Sequence, residues 1–166
     1  MTVAPCSPNV LPFGVRSADL LDVPRLAALT GWHQDYVHFA ARAGALGPRA
    51  APRPDQSRPR WPSVSIRVTR ARAARLLVLA RLEQAGVRCL TARGRPRGER
   101  LTAAGRAALR LLGREPWPEM LACTGGKAGR WHVRGASLDQ VEGVLARGAL
   151  IVLVGLAACR AAAERA

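Results

Sequence analysis

The side chains able to carry bond chemistry are few and scattered. His33, His38 and His132, combined with Asp35 or Cys123, supply the residue types of a metal or nucleophile site. Histidines five positions apart point from different faces of a helix, however, so surface or capping roles are expected for them. Cys123-Thr-Gly-Gly-Lys127-Ala-Gly has the Gly-Lys pair of a phosphate-cradling loop. It lacks that loop's leading glycine spacing and the Ser or Thr after the lysine. Cys6, Cys89, Cys123 and Cys159 show no Cys-x2-Cys pairing of the structural-zinc kind and read as ordinary thiols of a reducing compartment. From these residues no catalytic group, metal or cofactor is expected, and the chain is read as a non-enzyme.

Arginine is a different matter. The formal charge is +15 and, of the 26 basic residues, only Lys127 is lysine. A compositional bias toward Arg, Ala, Gly and Pro would spread arginine evenly. It is not even: residues 42–114 carry eighteen Arg against Asp55, Glu83 and Glu99, which is the whole +15, while both ends balance near zero. A field so concentrated favours a polyanionic partner. Between Gly44 and Gly98 the single aromatic is Trp61, too few for base-stacking platforms, so a duplex is expected rather than a single strand. The N-terminus lacks a charged start followed by an apolar core, and the apolar run Ala149 to Cys159 is too short to span a bilayer. No membrane partner is expected, and the location is read as cytoplasmic.

Local pattern indicates which elements carry these arginines. A chain of 166 residues can bury a core without staples. Residues 1–19, rich in proline, read as an extended arm. Asp22 is a candidate N-cap, Pro24 suits a first turn, and Gly31 ends that helix; a second runs from His33 or Gln34 to Ala43, closed by Gly44. Gly47 to Pro62 holds five prolines and four arginines and reads as a long loop. Ser63 to Val68 alternates as a strand, and Thr69 is placed to cap a helix over Arg70 to Ala85. The leucines of that helix occupy most of its circumference, which makes it a core or dimerisation helix. Val87 to Ala92 and Glu99 to Leu101 form the arms of a hairpin tipped by Arg93-Gly-Arg-Pro-Arg-Gly98, and Thr102 caps a helix to Leu112. Beyond Pro118 we expect a strand at Trp131 to Arg134, a helix opened by the capping box Ser137-x-x-Gln140, a strand at Ala149 to Val154 and an Ala-rich helix.

Two stretches carry recognisable spacing. Ala27, Gly31, Val37 and Ala40 fall where a helix-turn-helix needs a small crossing residue, a positive-φ turn and two inward residues. On that alignment His33, Gln34, Asp35, His38 and Arg42 face outward from the recognition helix. With the basic loop, Ser65-Ile-Arg-Val-Thr69 and the following helix, residues 20–80 resemble the small excisionase and MerR-type winged domains. The resemblance implies a wing on the phosphate backbone, with Arg49, Arg53, Arg58, Arg60, Arg67 and Arg70 as contacts, although the Pro/Arg insertion from Arg49 to Trp61 departs from the pattern. Second, Leu82-Glu-Gln-Ala-Gly86, the Arg-rich hairpin and Leu101-Thr-Ala-Ala-Gly-Arg-Ala-Ala-Leu109 resemble the wing and following helix of MarR and PadR-type regulators. That likeness implies phosphate or minor-groove contacts from Arg93, Arg95, Arg97 and Arg100.

The expected fold is mainly α with small β-hairpins, an α+β winged helix-turn-helix, either one module or two in tandem sharing the helix at 70–85. Its divisions are the arm at 1–19, a helix-turn-helix with a long wing at 20–69, helix, second wing and helix at 70–114, and a small α/β segment at 115–166 that either oligomerises or completes the core. The expected function is sequence-specific double-stranded DNA binding, as a transcriptional regulator or an excisionase-like factor of a phage or mobile element, with a homodimer among the arrangements open to it. The alternative is a structural or assembly protein that meets nucleic acid or an acidic protein nonspecifically.

Overall fold

The computed structural model describes residues 20–46, 66–92, 99–125, 130–145 and 151–166. They form a mixed α+β arrangement of six helices and small antiparallel sheets. Asp22 opens α1 (Val23–Thr30) by accepting from the Arg25 amide at 3.1 Å, with Pro24 in the first turn. Gly31 then takes φ 71°, and its amide closes the helix on the Ala27 carbonyl. α2 (Gln34–Arg42) follows after two residues, ended by Ala43 and by Gly44 at φ 89°. A two-residue strand not anticipated from sequence, β1 (Leu20–Leu21), pairs antiparallel with β2 (Val68–Thr69). This ties the start of the first unit to its end. β2 is shorter than the strand expected from Ser63: Ile66 and Arg67 lie outside it, and residues 63–65 are outside the described set.

The next element is α3 (Arg70–Gln84). Thr69 holds its N-cap position, but the hydroxyl makes no capping bond. Ala73, Ala74, Leu76 to Ala80 and Leu82 are all buried, and five consecutive buried residues leave the middle of the helix no solvent side, while Ala71, Arg72, Arg81 and Gln84 nearer its ends are exposed. α1, β1, β2, α4, β7 and α6 all contact it, so α3 is a core helix. Gly86 at φ 87° turns the chain into β3 (Leu90–Ala92), which pairs with β4 (Glu99–Leu101) in the register Leu90 to Leu101 and Thr91 to Arg100. α4 (Ala103–Leu112) buries Ala104, Ala108 and Leu112.

The C-terminal part centres on a strand that sequence reasoning missed, β5 (Met120–Gly125). It lies between β6 (Trp131–Ala136) and β7 (Ile151–Gly155), antiparallel to both. α5 (Leu138–Leu145) connects them, and α6 (Leu156–Arg165) returns onto α3. One half of the expected capping box is present, the Ser137 amide donating to Gln140 Oε1 at 3.4 Å. Leu121, Cys123, Val154, Leu156, Cys159 and Ala163 join the same buried cluster as Leu21, Leu26 and Leu79, so residues 115–166 contribute to the core. β5 and β6 flank the Gly-Gly-Lys segment as paired strands, whereas a phosphate loop runs from strand to helix.

Cys89, Cys123 and Cys159 are free and buried. Burial pushes the Cys123 thiol up to about 11. Cys89 is raised further, by burial and then by the neighbouring Glu83 charge, and Cys159 is raised by burial against a lowering effect from Arg81. The unfolded chain therefore releases these protons first as pH rises, so their stabilising contribution is complete at neutral pH and is lost above about pH 9. Urea midpoints are expected to hold steady below that value and to fall above it; a midpoint constant to pH 10.5 (about two units past the ordinary thiol value) would contradict the thiol assignment.

Candidate nucleic-acid interface

Two kinds of side chain divide α2. Val37 and Ala40 are fully buried, Ala27 of α1 packs against the same core, and Gly31 occupies the left-handed turn. On the other side His33, Gln34, Asp35 and Arg42 are exposed and His38 is half-buried. His33 is also the N-cap: its Nδ1 accepts the Asp35 amide at 3.3 Å and lies 3.3 Å from the Asp35 carboxylate. Gln34 is a donor and acceptor with no bond among the described residues.

What fixes α2 is a set of aromatic and polar contacts that sequence reasoning did not single out. Tyr36, the one tyrosine of the chain, stacks on Phe39 with ring centres 5.2 Å apart and meets Trp32 edge-on at 4.9 Å. Its hydroxyl donates to Glu83 Oε2 at 2.7 Å, near the end of α3. Glu83 Oε1 accepts the amides of Cys89 and Leu90 at 3.2 and 2.9 Å, where β3 begins. Burial and the Glu83 carboxylate together raise the Tyr36 phenol well above its ordinary value, so it stays a donor. Beside this junction Gln84 Nε2 donates to the Thr30 carbonyl at 3.1 Å, at the end of α1. One carboxylate and one amide thus join α1, α2, α3 and the hairpin. The clue in the sequence was Glu83 itself, one of three acids in a stretch of eighteen arginines.

The second junction accounts for the Leu-Thr-x-x-Gly-Arg spacing. The Thr102 hydroxyl donates to the Arg88 carbonyl at 2.7 Å and caps α4 by accepting the Gly105 amide at 3.1 Å. Any Cβ at Gly105 would collide with the Cys89 carbonyl oxygen, which already accepts the Thr102 amide. Arg106 Nη1 donates to the Leu101 carbonyl at 2.7 Å. These residues seat the base of the hairpin on α4, and β4 in turn contacts α2.

Of the arginines expected on the wings, Arg67 and Arg100 are exposed. Arg70 is half-buried, and its guanidinium donates to the Glu164 carbonyl at the end of α6, where the helix dipole favours a cation. Arg49, Arg53, Arg58, Arg60, Arg93, Arg95 and Arg97 lie outside the described residues. Among the described residues the strand that returns from the Pro/Arg insertion, β2, has β1 as its partner. No described helix is long and apolar enough to cross a membrane. A scan against protein-family models finds no match, and a search of curated proteins finds none.

Three substitutions probe these junctions by urea denaturation. Tyr36→Phe is expected to cost about 1 kcal/mol, and Glu83→Ala about 2–3 kcal/mol because it strands two backbone donors. Gly105→Ala is expected to cost about 1–3 kcal/mol through forced displacement of β3. Equal stability of Glu83→Ala and the parent chain would show that the carboxylate does not hold the junction.

Proposed function

We propose that this chain is a sequence-specific duplex-DNA-binding protein of the winged helix-turn-helix kind, which inserts α2 into a major groove and lays the β3–β4 hairpin along the backbone. The observation that carries the reading is the polar outward face of α2, set on a buried inward face after a left-handed glycine turn, with the hairpin strand β4 packed beside it. Gln34 has the amide pair that adenine N6 and N7 require, and Arg42 has the fork that fits guanine or phosphate. The arginines of the hairpin supply a non-specific electrostatic component. A role as a transcriptional regulator or as an excisionase-like factor of a mobile element fits such a module, and a homodimer reading two half-sites fits equally.

Selection from random duplexes is expected to return a common motif, and Gln34→Ala to relax preference at one position by about 1–3 kcal/mol. Replacing Arg93, Arg95, Arg97 and Arg100 together is expected to flatten the slope of log affinity against log salt by about 3.6 units if each neutralises one phosphate. Equal affinity for all duplexes would instead assign the chain to nonspecific assembly on nucleic acid, and an unchanged slope would remove the hairpin from the interface.

A further inference from the structure

A groove between α3, α4 and the turn after α2 has no part in the surface described above. It encloses about 300 Å³ and is lined by Gly44, Ala45, Leu46, Arg72, Arg75, Leu109 and Arg110. Arg72 and Arg75 are three residues apart on α3 and so share a face; Arg110 lies in the last turn of α4. Among the described residues no acidic side chain lines the groove. Among the described residues none of the three guanidiniums has a hydrogen bond or an ion pair.

Arg75 makes the arrangement costly. Its Nε is shielded from solvent and has no acceptor, and an unpaired buried donor on a charged group is the expensive case in hydrogen-bond energetics. Convergence of three like charges adds to that cost. Other arginines of the fold do have acceptors: Arg106 donates to the Leu101 carbonyl and Arg160 to Glu115 at 2.7 Å, while Arg70 donates through Nη1 to the Glu164 carbonyl although its own Nε is also buried without a partner. A tetrahedral oxyanion in the groove would offset the repulsion, accepting from the terminal guanidinium nitrogens of Arg75 and from the flanking pair. The volume suits a phosphoryl group with a small appendage, whereas a duplex backbone is an extended rail that follows an open basic face.

We infer that the Arg72, Arg75 and Arg110 groove binds a small phosphate-bearing ligand, as inorganic phosphate or as a phosphomonoester, independently of any duplex bound at α2. Calorimetric titration of the full chain with inorganic phosphate, at constant ionic strength set by chloride, is expected to show one saturable site. Arg75→Gln and Arg110→Gln are each expected to weaken it about tenfold or more, while Arg134→Gln, a charge-matched change on β6, leaves it intact. Arg110 is exposed, so its variant reads the groove even if Arg75→Gln loosens the fold. Tighter binding of glycerol phosphate than of phosphate would identify an organic ligand; equal binding would identify the free ion. The inference is overturned by absence of saturable binding up to about 10 mM (roughly −2.7 kcal/mol, below any useful site), by equal weakening in Arg134→Gln, or by displacement of phosphate with one equivalent of duplex, which would hand the groove to the DNA backbone.

Discussion

A helix whose middle has no solvent side exists only if other elements cover it there, and α3 imposes that demand on this chain. Its fifteen residues include eight buried ones spread around the axis. α1 and the β1–β2 pair cover one part, α4 another, and β7 with α6 the remainder. The C-terminal part is therefore not an appendage: without Leu156, Cys159 and Ala163 of α6 a leucine-rich flank of α3 would meet water, at about 25 cal/mol for each Å² of apolar surface. The same demand explains why the two stretches of recognisable spacing are not separable. Both lean on one helix, the first through α1 and the second through α4.

Covering the helix does not by itself orient the elements that cover it. Packed apolar faces tolerate small slides, whereas the Glu83 carboxylate has four strong acceptor sites and specific donors to fill them. Tyr36 and the Cys89 and Leu90 amides take three of those sites, so a shift of α2 relative to the hairpin breaks a charge-assisted bond rather than sliding along leucines. Gln84 does the same for the end of α1. The relation between helix and hairpin, on which the proposed reading depends, rests on polar bonds at the end of an apolar element.

How far the sequence disclosed this differs by element and for physical reasons. The boundaries of α1, α2, α3 and α4 were legible because caps and turn glycines mark them: Asp22, Gly31, Gly86 and Thr102 each occupy the expected place. β5 was not legible. Met120 to Thr124 is a strand paired on both sides, so it lacks the alternation of a half-exposed strand and reads as a short apolar run without period. β1 was hidden for another reason, since two residues carry no pattern and their partner lies 47 positions later. In the site the outward residues of α2 could be named from spacing alone. The Tyr36–Glu83 bond could not, because it joins helices remote in sequence and a tyrosine on an inward face looks like any other core aromatic.

The charge distribution carries one more step. Eighteen arginines in residues 42–114 suggest a uniform basic face, but the described members sort by what surrounds them. Arg70 neutralises the carbonyl end of α6 and Arg106 braces the turn into α4; both act within the fold, and their charge reaches a partner only at long range. Arg72, Arg75 and Arg110 line a groove that holds no acidic side chain among the described residues. Net charge thus overstates the backbone contacts open to this chain, since screening at physiological salt confines each charge to about 8 Å. An arginine is open to a partner according to where its fork points and whether the fold has already filled it, so on the proposed reading the count of counterions released must fall short of the count of arginines.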